Sequence, residues 1–166
     1  MSEGSGFKAS FLTALTEVLL SDKEGVGCLR WEGNKCYKWC LFKNTTATVA
    51  GAAGTCVAYD AEDGHSNSHV VADLNDADSV PICAGTTGAA VTGTLATSYW
   101  CWIQIKGLVT VDTAITNGVD GTLCYLTTTD KTLAQASEAD SAADYVQTVG
   151  IVADASAQTV ILDCPF

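Results

Sequence analysis

Ser98-Tyr99-Trp100-Cys101-Trp102-Ile103-Gln104-Ile105-Lys106-Gly107 alternates along its whole length. In an extended chain successive side chains point to opposite faces. Tyr99, Cys101, Ile103 and Ile105 therefore share one face, and Trp100, Trp102, Gln104 and Lys106 share the other. Period-two alternation with this density of aromatic and β-branched residues predicts a β-strand. One face is wholly apolar and the other begins with two tryptophans, so both sides of this strand have something to bury.

Working outward, the same signature recurs in shorter runs. Val26 to Arg30 and Cys36 to Phe42 flank Trp31-Glu32-Gly33-Asn34-Lys35 and read as a β-hairpin. In its second arm Tyr37, Trp39 and Leu41 share a face, and Lys38 lies with Cys36, Cys40 and Phe42 on the other. Further strands are expected at Gly54 to Asp60, Val80 to Gly85, Leu108 to Val111, Leu123 to Thr127, Val146 to Val152 and Val160 to Cys164. Residues 60–79 read as a long polar loop with a short Val70-Val71 segment. Residues 127–145 read as a second polar connection, and Asp154 to Gln158 as the turn of a closing hairpin. About eight to ten short antiparallel strands with frequent turn signals predict an all-β domain, a β-sandwich or β-barrel-like fold.

The N-terminal stretch reads differently. Phe11, Leu12, Leu15, Val18 and Leu19 recur at helical spacing within residues 8–20. The expectation is an N-terminal arm or short amphipathic helix over residues 1–22, ahead of a β-rich domain over residues 23–166. That domain has two possible subregions, 23–97 and 98–166. The segment either packs on its own domain, which the pattern slightly favours, or reaches a neighbouring subunit.

Composition narrows the function classes. Of 166 residues, 48% are hydrophobic and 16% charged, enough apolar material for a core and too little charge for a disordered chain. Nineteen acidic against eight basic residues give a net charge of −11, which repels phosphate backbones and anionic lipid surfaces alike. Neither nucleic acid nor membrane is expected as a partner. Met1 to Gly6 has no basic start and no apolar core behind it, and the longest apolar runs are about five residues, against about 20 for a bilayer span. The sequence predicts a soluble chain made in a cytoplasm.

Eight cysteines, Cys28, Cys36, Cys40, Cys56, Cys83, Cys101, Cys124 and Cys164, admit three readings. Cys36 and Cys40 lie within a predicted strand, about 13 Å apart at roughly 3.3 Å per residue, too far to share one zinc ion. Disulfides require an oxidising place. Buried free thiols acting as small hydrophobes fit best, because Cys101, Cys124 and Cys164 sit inside or at the ends of apolar strand patterns. His65 and His69 stand in a Gly/Ser/Asn context that argues for a loop, and Asp60 to Gly64 misses the spacing of a calcium loop. There is no phosphate-cradling glycine motif before a helix and no nucleophile elbow. The expectation is a protein that is not an enzyme, with no cofactor and no metal. Trp31, Trp39, Trp100 and Trp102 could form core, subunit interface or a sugar platform. The interface candidates are Phe11, Leu15, Leu19, Trp31, Trp100 and Trp102.

Three stretches, taken in order, resemble a known family. Leu19 to Gly27 followed by Arg30 to Tyr37 is similar to the N-terminal hairpin of small virion proteins of tailed bacteriophages. Tyr99 to Gly107 resembles their aromatic-Trp-Ile-Gln strand. Val149 to Asp154 with Val160 to Leu162 resembles their terminal hairpin. The resemblance implies a head decoration or cement protein, β-rich and often homotrimeric. Such a protein would be made in the bacterial cytoplasm and carried on the virion surface, where it binds the major capsid protein and stabilises contacts between capsomers. The eight cysteines depart from that pattern. A head-fibre or tail-associated module recognising a host glycan is the competing expectation.

Overall fold

A computed structural model describes residues 10–42, 49–59, 70–72, 83–93, 98–127, 132–136 and 148–164. Among these the secondary structure is all β, with no helix. In chain order the strands are β1 Val18–Leu19, β2 Leu29–Glu32, β3 Lys35–Phe42, β4 Val49–Gly51, β5 Cys56–Tyr59, β6 Val70–Ala72 and β7 Cys83–Thr87. They continue with β8 Val91–Gly93, β9 Tyr99–Thr110, β10 Leu123–Leu126, β11 Leu133–Gln135, β12 Thr148–Asp154 and β13 Thr159–Asp163.

The organising element is β9. It pairs antiparallel with β3 over Tyr99 to Lys106, with β7 at Ile103 and Gln104, and with β13 over Lys106 to Thr110. Its twelve residues run through Gly107, where two separate strands were expected. Gly107 has a φ of 91°, and a Cβ there would stand 2.7 Å from the Asn34 carbonyl oxygen. The glycine thus lets the strand leave β3 and continue against β13 without a break.

The main sheet runs β11-β10-β12-β13-β9-β7-β5-β6-β3-β2, with β1 alongside β9; β4 and β8 form a separate two-stranded sheet. The pairings β3–β9, β9–β7, β7–β5, β5–β6 and β6–β3 return to their starting strand, so five strands close into a ring. Among the described strands the pairings are antiparallel except β3–β6. The β2–β3 hairpin turns on Gly33-Asn34, with Glu32 opposite Lys35. Gly33 at φ 63°, ahead of an Asn without positive φ, fits a type II′ turn. The expected closing hairpin is also present, between β12 and β13.

The alternation of β9 and β3 is translated directly into two packed faces. Cys101, Ile103, Ile105, Cys36, Cys40 and Phe42 enter a large core with Val57, Val71, Val152, Val160 and Leu162. Each Val, Leu, Ile or Phe among them contributes roughly 1.5–3 kcal/mol when fully buried. Tyr37, Trp39 and Trp102 form a second cluster on the opposite face, against which Phe11, Leu15, Leu19, Cys28 and Trp100 pack.

The amphipathic-helix expectation for residues 8–20 is corrected over the described part, residues 10–20. The chain there is irregular, with a turn closed by Glu17 N–H donating to the Ala14 carbonyl at 3.1 Å, and then β1. Phe11, Leu15 and Leu19 do face one way, but onto tryptophans rather than along a helix stripe. Three further strands were not anticipated. β11 lies inside the segment read as a polar connection, and β4 with β8 pairs two small-residue stretches.

Candidate interaction surface

The second face of the sheet has a covered part and an open part. Two carboxylates fix the cover. Asp22 accepts backbone N–H bonds from Glu24, Gly25 and Val26, and the indole N–H of Trp39 at 2.9 Å. Glu24 is buried, and its Oε1 accepts from Leu12 N–H at 2.7 Å, Thr13 N–H at 2.6 Å and the Thr13 hydroxyl at 2.7 Å. Thr13 Oγ1 in turn accepts the Trp102 indole N–H at 2.8 Å, and the Thr13 carbonyl accepts from Arg30 Nη1 at 2.8 Å. The Arg30 guanidinium stands 4.8 Å over the Phe11 ring and 5.8 Å over that of Trp102, and pairs with Glu32. A strip of chain without regular structure is thereby tied down at several points.

This placement decides what the expected interface residues can do. Trp102 is fully buried within its own chain, edge-on to Trp39 and Phe11, because the residue 10–27 segment covers it. Trp100 stacks on Trp39 with ring centroids 6.5 Å apart and is half-buried, as are Phe11, Leu15 and Leu19. These five residues come together as an intrachain cluster. Trp31 stands apart on β2, 56% exposed.

The open part was not singled out in the sequence. Leu123 of β10 is opposite Ile151 of β12, Ile151 is opposite Ile161 of β13, and Ile161 is opposite Leu108 of β9. All four are 42–50% exposed. Directly opposed residues on neighbouring strands lie about 5 Å apart, so these side chains form one aliphatic ladder roughly 14 Å long. Acidic groups flank it: Asp163, two residues beyond Ile161 and paired with Lys106, and Asp154 and Asp120 near the β12–β13 turn. Serine and alanine-backbone donors hold the Asp154 carboxyl below its ordinary range. The sequence signal was the absence of polar residues at the outward positions of Val149 to Val152 and Val160 to Leu162.

Other groups are engaged internally. A cleft of about 480 Å³ lies between Leu15, Tyr37, Gln104, Thr110 and Asp112. Gln104 Nε2 donates to the carbonyls of Lys106, Gly107 and Leu108, and Asp112 accepts the Thr55 hydroxyl. Lys38 is buried on the core face, its Nζ 3.4 Å from the Tyr59 hydroxyl, and burial pushes its pKa down. Cys36, Cys40, Cys56, Cys83, Cys101, Cys124 and Cys164 are buried and Cys28 is half-buried. Burial pushes the thiols of Cys40 and Cys124 up to about 12. Among the described residues no three metal-ligating side chains converge. His65, His69 and the Asp60–Gly64 stretch lie outside the described residues. No described helix is long and apolar enough to cross a membrane.

Comparison of the chain with protein-family models, with curated proteins and with solved structures gave no match.

Proposed function

We propose that this chain is a virion structural protein that binds the outer surface of a tailed-phage capsid and stabilises contacts between capsomers. The observation that carries the reading is the aliphatic ladder Leu108–Ile161–Ile151–Leu123, which an isolated chain leaves in water. Contiguous exposed apolar patches of this kind mark interaction sites. The occupant that fits is a surface of the major capsid protein with an apolar centre and a basic rim. A net charge of −11, with Asp120 and Asp154 at the β12–β13 turn beyond the ladder, complements such a rim and opposes face-to-face pairing of two copies over it. A small contact suffices, because a shell presents many equivalent sites and the homotrimer implied by the resemblance would present three ladders at once.

The competing glycan module needs exposed aromatic platforms. Trp39 and Trp102 are fully buried and Trp31 is the one exposed tryptophan, which favours the shell reading. The test is co-sedimentation of the chain with shells of its own virus, comparing wild type with Ile161→Asp. Ile161 is half-exposed, so the variant folds with stability within about 0.5–1 kcal/mol of wild type. The proposal expects shell binding to fall at least tenfold, with sedimentation velocity showing an unchanged oligomer. Undiminished shell binding by the variant would refute the ladder as the contact.

A further inference from the structure

We propose that Cys83 and Cys164 are a disulfide-forming pair, a covalent modification site that closes when the folding chain meets an oxidising thiol buffer. The inference is independent of the shell-binding reading. Cys83 opens β7 and Cys164 follows β13 directly, and both of those strands are neighbours of β9. Cys164 is fixed there by its N–H, which donates to the Ile105 carbonyl at 2.9 Å. Its Sγ lies 3.9 Å from Cys83 Sγ and equally 3.9 Å from the Val149 carbonyl oxygen, and the Cys83 thiol lies 3.8 Å from the Gly85 carbonyl oxygen. Both thiols are buried in the main core.

A disulfide holds its sulfurs about 2.05 Å apart, so closure requires the two Sγ atoms to approach by roughly 1.9 Å, a matter of side-chain rotation and slight strand adjustment. Cys40 and Cys101 are directly opposed across β3 and β9. They serve as the internal comparison. The bridge would join residues 81 apart in sequence, and long closed loops gain most from cross-linking.

The chemistry balances with oxidised glutathione as the named oxidant. The Cys164 thiol loses its proton to solvent, and the thiolate attacks one glutathione sulfur. The glutathione S–S bond breaks, and one glutathione thiolate leaves. Deprotonated Cys83 then attacks the Cys164 sulfur, the protein S–S bond forms and the second glutathione thiolate leaves. The protein is oxidised by two electrons and one oxidised glutathione is reduced to two thiols. Hydrogen bonding to Cys83 and burial push the Cys164 thiol upward, so the thiolate is scarce and closure is slow in the folded chain but open to the refolding one.

The full chain is unfolded in reductant, refolded in a mixture of reduced and oxidised glutathione, blocked with iodoacetamide and mapped by peptide mass spectrometry. The expected result is a predominant Cys83–Cys164 cross-linked peptide and a melting temperature roughly 5–10 °C above that of the reduced protein. Cys83→Ala should abolish both, whereas Cys40→Ala should leave the cross-link in place. Full alkylation of all eight cysteines, or a different predominant pair, overturns the proposal. The wild-type map alone decides the matter if either variant fails to fold.

Discussion

Replacing Glu24 with alanine should loosen the cover over the tryptophan cluster. The carboxylate accepts three hydrogen bonds through one oxygen, from Leu12 N–H, Thr13 N–H and the Thr13 hydroxyl. Leu12 is 72% exposed, so its amide can find water again; Thr13 is only 7% exposed, and its two donors would be stranded. A buried donor left without a partner costs about 1–3 kcal/mol. Two such donors, partly relieved by water entering the vacated space, predict a loss of about 2–4 kcal/mol. That corresponds to a fall of roughly 5–15 °C in melting temperature for a chain of this size. Glu24→Gln keeps the shape and an acceptor oxygen and loses only the charge, so it should cost about 1 kcal/mol. Urea unfolding followed by tryptophan emission measures both, since the segment lies on Trp39 and Trp102. Cleavage within residues 10–27 by a protease should rise in parallel for Glu24→Ala. A loss below about 0.5 kcal/mol for the alanine variant, or an equal loss for both variants, would refute the account of how this segment is held.

The other expectations can be checked on the isolated chain. Gly150→Ala would place a Cβ 2.1 Å from the Ile161 carbonyl oxygen, a backbone atom that cannot yield without parting β12 from β13, and should cost about 3 kcal/mol in denaturant unfolding. The buried Thr86 hydroxyl has no hydrogen-bond partner among the described residues; Thr86→Val removes it and keeps the volume, so stability should rise by about 1 kcal/mol. Alkali should weaken the fold. The buried Cys40 thiol stays protonated to about 12 where the unfolded chain releases its proton near 9.0. Its stabilisation is thus complete below pH 9.0 and is lost toward 12, at about 1.4 kcal/mol per pH unit for a fully buried thiol. Lys38, with its pKa lowered below 10.5, acts in the opposite sense and offsets part of the loss. Melting curves in reductant should fall steadily above pH 9; a flat profile to pH 10.5 would contradict the thiol burial.

Much of the fold could be read from residue alternation, and the reasons are local. β9 and the second arm of the first hairpin carry period-two patterns long enough to fix both their extended state and the two faces they present, Lys38 included. The turn at Gly33-Asn34 announced itself by its residue types. The spacing of Phe11, Leu15 and Leu19 misled because a strip of chain crossing a flat aromatic cluster also brings every fourth residue down onto it. What holds that strip is Asp22 and Glu24 accepting backbone N–H bonds, and exposed-looking acids in a sequence give no sign of such use. β11, three residues long, is too short to carry a period. Pairing order was also beyond reach: β3 meets β9 across some sixty intervening residues, and nothing local encodes that choice. The same gap hid the candidate surface. Leu108, Ile161, Ile151 and Leu123 are scattered in sequence and become neighbours only through the register of four strands.

The central claim is that this chain sits in many copies on a phage shell. The most direct test is intact-particle mass spectrometry of purified heads of the tailed phage that, on this proposal, encodes it, with osmotic shock of heads carrying and lacking the chain. The account predicts hundreds of copies per head and earlier bursting when the chain is absent. A few copies per particle, or none on the head, would contradict it.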